Sequence, residues 1–368
     1  MSASDAACNF GAPVLAVCGF SGSGKTTLLE AVIPRLTGRG LAVAVVKHDA
    51  HGFEVDRPGK DSDRFFRAGA TVTLSGPGEQ FERRGREATL SLKTTLARFS
   101  CDHDLLLVEG HKDTQLPKLW LANAEQAEAP EGVSNILRTL PWNGDRVAAF
   151  MEFMEEWLRV TWRKRPLYGG LLVGGASSRM GSPKQMIAFG GSSLGEIAVA
   201  ALGAALGDGR SVVLGAGMLA EVLKGLARLA DPPGFGGPAA ALISAHRWAP
   251  EATWIVAACD HPWLRGEHIA WLAAQREPGR WAVIPRQSDG FPCPTLALYE
   301  PQALEALERQ ACQDGGHNGR PQMLMESPRT LVLSVPPELA DGWKSVNTPE
   351  ELRAEEERLA PGCGDVDE

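Results

Sequence analysis

Short, continuously apolar runs alternate with amphipathic stretches along nearly the whole chain. In the first half, runs at 14–18, 41–46, 70–74, 104–108 and 118–122 predict strands. An unbroken run such as LAVAVV at 41–46 suits a parallel sheet covered on both faces. A helix is predicted from the glycine-rich turn after the first strand to about residue 36. A second runs over 145–162, where Val147, Phe150, Met151, Met154, Leu158 and Trp162 share one face. The run Arg163-Lys164-Arg165-Pro166 breaks the pattern, and a domain boundary is placed there. Beyond it the alternation restarts. Strands are predicted at 170–173, 212–214, 254–258, 281–284 and 331–335. Helices are predicted at about 192–206, 218–229, 239–247, 266–276, 301–311 and 349–359. The fold class is α/β, with two three-layer domains at 1–165 and 166–360 and a frayed acidic tail at 361–368. No internal repeat relates the halves.

Composition narrows the class. The 368 residues are 44% hydrophobic and 22% charged, enough for two globular domains. Residues 1–165 hold 21 basic and 21 acidic side chains, whereas 166–368 hold 16 and 24. Most of that acidic excess follows Pro349, so the body of each half is near neutral. No basic stripe points to nucleic acid. No apolar run approaches the ~20 residues of a membrane helix, and the N-terminus lacks the pattern of a signal peptide. The seven cysteines are scattered without a C-x-x-C pair, which reads as a reducing cytoplasm with no disulfides and no thiolate metal site.

Two glycine-rich loops carry the candidate chemistry. The first, from Gly19 to Thr27, reads G-x-x-x-x-G-K-T between a strand and a helix. Gly19, Gly22, Ser23 and Gly24 let backbone N–H groups wrap phosphate oxygens. Lys25 supplies charge to the terminal phosphates, and Thr26, followed by Thr27, can ligate Mg²⁺. Glu109, at the tip of a predicted strand, can hold the Mg²⁺ shell or orient a water; the alternative is a solvated strand-end acid. His48, His51 and His111 do not have helical metal-ligand spacing. No N-K-x-D motif reads a guanine base.

The second loop runs from Gly174 and Gly175 through Arg179 to Lys184, again directly after a strand. Arg179 and Lys184 can neutralise a triphosphate and a departing pyrophosphate. Asp260 ends another predicted strand, where it can ligate Mg²⁺; it can equally cap a helix, with Pro262 in the first turn. Thr348 reads as the N-cap of the last helix, with Glu351 at the capping-box position, and Asn347 beside it is a separate candidate.

The first half, from residue 14 to about 121, resembles the molybdopterin-guanine dinucleotide biosynthesis adapter proteins. The likeness rests on G-x-S-G-S-G-K-T-T, V-V-K-H-x-x-H-x-F, D-x-P-G-K-D-S-x-R, A-G-A and V-E-G-H-K. It implies a P-loop NTPase-like domain that binds GTP, hydrolyses it weakly and assists a nucleotidyltransferase. The second half, from about 171 to 352, resembles molybdenum cofactor guanylyltransferase through G-G-x-S-x-R-M-G-x-x-K, C-D-x-P and N-T-P-E. That resemblance implies a Rossmann-like fold joining GTP to molybdopterin. Gly174, Gly175, Lys184 and Asp231 would bind nucleotide, and Asp260 would hold Mg²⁺. Two positions depart from the family pattern. Pro183 stands where an Asp is common before the loop lysine, and Ser345 stands where an Asn is common, so only Asn347 is carried over as a metal-site residue. The fusion implies molybdopterin and GTP as partners, with molybdoenzyme apoproteins or their chaperones beyond them. CTP in place of GTP, another phosphorylated acceptor, or a non-catalytic GTP-regulated scaffold are the alternatives.

Overall fold

The computed structural model describes residues 11–47, 55–85, 90–174, 180–287, 289–313 and 321–359. In the first half the elements are β1 (Val14–Gly19), α1 (Lys25–Gly38), β2 (Val43–Lys47), α2 (Asp61–Arg67), β3 (Val72–Ser75), β4 (Gln80–Arg83), α3 (Leu92–Ser100), β5 (Leu105–Glu109), β6 (Lys118–Leu121), β7 (Ile136–Leu140) and α4 (Arg146–Arg163). Five of these strands form a parallel sheet in the order β2-β5-β1-β6-β7. Their apolar residues fill both faces. Leu28, Leu29 and Val32 of α1 pack with Phe150, Met154 and Leu158 of α4 on one side. Leu96 of α3 packs with Ala16, Val108 and Trp120 on the other. The helix α4 begins where Asp145 accepts a hydrogen bond from the Ala148 amide at 2.9 Å, an ordinary N-cap.

The second half continues with β8 (Leu167–Leu172), β9 (Ala188–Phe189), β10 (Ser192–Ser193), α5 (Leu194–Leu206), β11 (Ser211–Leu214), β12 (Ala227–Leu229), α6 (Gly237–Trp248), β13 (Thr253–Ala258), α7 (Gly266–Ala274), β14 (Ala282–Arg286), β15 (Leu296–Tyr299), α8 (Pro301–Gln313), β16 (Thr330–Ser334) and α9 (Pro349–Leu359). Seven strands form one sheet, β12-β11-β8-β13-β15-β14-β16. It is parallel except that β15 runs antiparallel between β13 and β14. Helices α5 and α7 cover one face, and α6 and α8 the other.

Two expectations from the sequence change. The segment at 70–74 does form a strand, but β3 pairs with β4 in a separate hairpin rather than joining the sheet. The helix expected over 218–229 is a single short turn at Glu221–Leu223 followed by edge strand β12. Only the apolar positions of that stretch carried a helical period; Gly225 interrupts it, and the sheet edge offers backbone partners at Val212–Leu214. Strands β4, β7, β9, β10, β12 and β15 were not anticipated. Of these, β4 and β7 show few buried side chains, so their pattern is weak in sequence.

A buried charge cluster joins the two sheets' supporting elements. Glu300, fully buried, accepts from Arg165 at 3.2 Å, Arg276 at 3.0 Å, Thr253 at 2.6 Å and Trp162 at 3.2 Å. The Arg165 guanidinium also lies over the Trp162 ring at 3.6 Å. Nearby, buried Asp104 accepts from Trp281 at 2.7 Å and Arg329 at 2.6 Å. Removing the central carboxylate would leave two buried guanidinium groups without a counter-charge. Glu300→Ala is therefore expected to lower stability by about 3–5 kcal/mol, read from urea unfolding followed by circular dichroism. A loss under about 1 kcal/mol would show that the cluster is not a structural tie.

Candidate functional site

The first glycine-rich loop connects β1 to α1. Its first position must lack a Cβ, because one built on Gly19 would lie 2.5 Å from Ser23 Oγ and 2.7 Å from the Leu121 carbonyl. The loop closes with the Ser23 amide donating to the Phe20 carbonyl at 3.2 Å. Gly24, at φ +82°, turns the chain into the helix. Lys25 Nζ donates to the carbonyls of Phe20 at 2.8 Å and Gly19 at 3.2 Å. Thr26 Oγ1 donates to Glu109 Oε1 at 3.0 Å, and Lys47 lies 3.7 Å from the same carboxylate. Parallel pairing of β1 with β5 puts Val17 opposite Glu109, so two motifs 83 residues apart meet beside the loop. Gly22 sits at φ +73° in the same turn, and Thr27 is exposed in the first turn of α1.

Other motifs of this half have local explanations. In D-x-P-G-K-D-S, Asp56 accepts from the Arg57 amide and from Ser62 Oγ. Asp63 accepts from the Gly59 amide at 2.9 Å, Arg67 at 2.8 Å and Arg83 at 3.0 Å, and these bonds hold its carboxyl down to about 2. The two acids tie the turn and α2 to β4. The Thr114 hydroxyl donates to the His111 carbonyl. His48 and His51 lie outside the described residues.

Sequence reasoning missed Arg146. Its Nη1 donates to the Ser23 carbonyl at 2.7 Å and its Nε to the Pro141 carbonyl at 2.6 Å, and Nη2 bonds the Ala122 carbonyl. One guanidinium thus links the phosphate-type loop, the end of β6 and the end of β7. A signal existed: a cation as the first residue of a helix opposes the helix dipole and needs another reason to be there.

In the second half, the loop after β8, the turn after β11 and the turn after β13 open at the same edge of the sheet. This is where parallel α/β sheets place ligands. They line a cleft of about 620 Å³ with Gly174, Lys184, Asp231, Gly237, Asp260 and Asn347 in its wall. Gly174 sits at φ +111°, and a Cβ there would lie 2.9 Å from the Ala216 carbonyl. Lys184 Nζ donates to Asp260 Oδ2 at 3.1 Å and to Asn347 Oδ1 at 2.8 Å. Three predicted residues from distant parts of the chain therefore converge on one ammonium. Asp231 lies across the cleft, and partial burial pushes its carboxyl up. Gly175 and Arg179 fall outside the described residues.

Asp260 does not cap a helix; the next one, α7, begins at Gly266. Its Oδ1 is buried and lies 3.2 Å from His261 Nε2, an ion-pair contact outside hydrogen-bonding geometry, so that oxygen has no hydrogen-bond partner. Thr348 does cap α9, accepting from the Glu351 amide at 3.2 Å, while Glu351 Oε2 reaches back to the Asn347 amide at 2.6 Å. Asn347 Nδ2 donates to Ser345 Oγ at 3.3 Å, which turns its carbonyl oxygen toward Lys184. The serine that departs from the expected pattern thus orients the neighbouring asparagine.

Residues 14–138 match the family described as Molybdopterin guanine dinucleotide synthesis protein B, and residues 169–329 match the MobA-like NTP transferase domain. The first half is 35% identical over 159 residues to the molybdopterin-guanine dinucleotide biosynthesis adapter protein of Haemophilus influenzae, covering 40% of this chain and 89% of that protein. The chain belongs to that adapter family. Its second half is a MobA-like NTP transferase domain, fused to the adapter domain. A match 27% identical to the probable molybdenum cofactor guanylyltransferase of Bacillus licheniformis covers 52% of this chain and 97% of that protein. A Synechocystis molybdenum cofactor biosynthesis bifunctional protein is 28% identical over 145 residues, 39% of this chain and 42% of that one. Among the described residues of this adapter–transferase fusion, no helix is long and apolar enough to cross a membrane.

In the transferase half, His261 is buried beside Asp260, with Cys293 Sγ at 3.8 Å from its Nε2. Burial opposes charge on the ring. The Asp260 carboxylate and the Cys293 thiol outweigh it and push the pKa up to about 8. The folded ring thus holds its proton more tightly than the unfolded ring. It contributes stability that is complete below about pH 6.5 and is lost as pH rises through about 8. In chelator-treated protein, stability relative to His261→Asn should fall by about 2 kcal/mol between pH 6 and 9. A flat difference across that range would place the ring's proton elsewhere.

Proposed function

We propose that the transferase domain moves GMP from GTP to molybdopterin, releasing pyrophosphate, while the adapter domain binds a second GTP in an accessory role. The observation that carries this reading is the convergence of Lys184, Asp260 and Asn347 in one cleft bounded by Gly174 and Asp231. A nucleotidyl transfer needs little covalent help from protein: the chain must position two anions and offset their charge.

The terminal phosphate oxygen of the acceptor attacks the α-phosphorus of GTP. A new P–O bond forms, the bond between the α-phosphorus and the bridging oxygen breaks, and pyrophosphate departs with its electron pair. Glycine at 174, where a Cβ would meet the Ala216 carbonyl, lets the loop turn so that its backbone can face the phosphates. Lys184 offsets the negative charge that builds on the departing group. Asn347 and Asp260 hold that ammonium in place, and Asp231 lines the far wall toward the nucleoside. Arg179, by its position in the loop sequence, adds a further cation.

The residues fit Mg²⁺. Asp260 and Asn347 both present oxygen atoms, as a hard cation requires, and buried Asp260 Oδ1 has no hydrogen-bond partner. Two protein ligands completed by phosphate oxygens and water are ordinary for this ion. When bound, it would draw charge from the triphosphate. In the adapter domain Thr26 and Glu109 make the corresponding pair beside Lys25.

Pyrophosphate release from GTP and molybdopterin tests the reading. Asp260→Ala should lower kcat roughly 10²–10³-fold, and Asn347→Ala about tenfold, through the freed lysine. GTP should be used in preference to CTP. Full turnover by Asp260→Ala would remove the proposed site, and equal use of CTP would overturn the guanylyl assignment.

A further inference from the structure

The adapter domain's loop at Gly19–Thr26 accounts for a triphosphate but leaves the rest of a nucleotide without a seat. Its surroundings are asymmetric. The Thr26–Glu109 pair lies on the β5 side of β1, so the cation and terminal phosphates belong there. The nucleoside must then leave on the opposite side, over the carboxyl ends of β6 and β7.

Trp142 stands at that place, two residues beyond the end of β7. Its side chain is 44% exposed, which is unusual for indole and asks for a reason. Trp248, the comparably exposed tryptophan, packs against Tyr168 and Trp254. Among the described residues, Trp142 instead has the guanidinium of Arg146 5.1 Å from its ring centroid. That same guanidinium donates to the Ser23 carbonyl inside the phosphate loop and to the Pro141 carbonyl beside Trp142. One rigid group therefore sets the spacing between the phosphate loop and the aromatic face. Burial of Arg146 holds its pKa below the usual value, in keeping with a side chain committed to carbonyl partners rather than to solvent.

We infer that Trp142 is the nucleobase platform of the adapter domain, stacking a purine base of the nucleoside triphosphate whose phosphates occupy Gly19–Thr26, with Arg146 fixing the platform to the loop. The inference rests on the adapter domain's being a nucleotide site. Stacking on an exposed aromatic ring is sequence-tolerant and favours the larger base. It also supplies base affinity in a domain that has no N-K-x-D motif.

The test uses the full chain carrying Lys184→Ala, which weakens the transferase cleft, titrated by calorimetry with Mg²⁺-GTP and separately with Mg²⁺-triphosphate. Trp142→Ala and Trp142→Leu should weaken GTP binding about tenfold and leave triphosphate binding within twofold; Trp142→Phe should retain most of the GTP affinity. The leucine and phenylalanine variants decide the matter if alanine impairs folding, and the triphosphate titration reports an intact loop. Unchanged GTP affinity in Trp142→Leu overturns the proposal, as does an equal loss for GTP and triphosphate. Lys25→Ala in the same background should abolish the remaining GTP site. If it does not, the nucleotide reading of the adapter domain fails first and the platform with it.

Discussion

The ammonium of Lys184 lies between the Asp260 carboxylate and the Asn347 amide oxygen, and those contacts exist only because three chain segments end at one edge of one sheet. Parallel pairing of β8 with β11 and with β13 puts their carboxyl ends side by side. The cap of α9 then brings Asn347 in from the end of the chain, 163 residues from the lysine. Without that convergence the glycine-rich loop at Gly174 would be only a tight turn. With it, the cleft has a cation, a carboxylate and an amide placed to meet a triphosphate.

The adapter half uses the same topological rule with different parts. There a lysine within the loop turns back on its own carbonyls, and the carboxylate arrives from the neighbouring strand to meet a threonine rather than a lysine. The two halves are fastened by buried ions, with Glu300 and Asp104 each receiving donors from both sides of the junction. Such clusters add little net stability over apolar packing, but they penalise any arrangement in which a partner is missing. The fusion thus sets the adapter domain against the transferase with geometric specificity, beyond tethering it.

Much of this was legible before the fold. Central strands such as β1, β5 and β13 are buried along nearly their whole length and write themselves as continuous apolar runs. Lys184, Asp260 and Asn347 could each be named from local motifs, because loops that approach phosphate need glycine and charge in fixed order. What could not be read were relations set by tertiary packing. β15 enters the sheet antiparallel, a choice invisible in LALY itself. Ser345 matters through one hydrogen bond to Asn347, and Arg146 through three carbonyls that are distant in sequence. Asp260 allowed both a cap and a ligand role, and only the position of α7 removed the cap.

The central claim is that the cleft at Lys184, Asp260 and Asn347 transfers a nucleotidyl group. Following label from GTP separates this from every hydrolytic or regulatory alternative. With GTP labelled at the α-phosphate and molybdopterin present, the label should enter the dinucleotide product, and label at the γ-phosphate should appear in pyrophosphate in an amount equal to that product. Release of γ-label as free phosphate, with no α-label in any product larger than the nucleotide, would contradict the account.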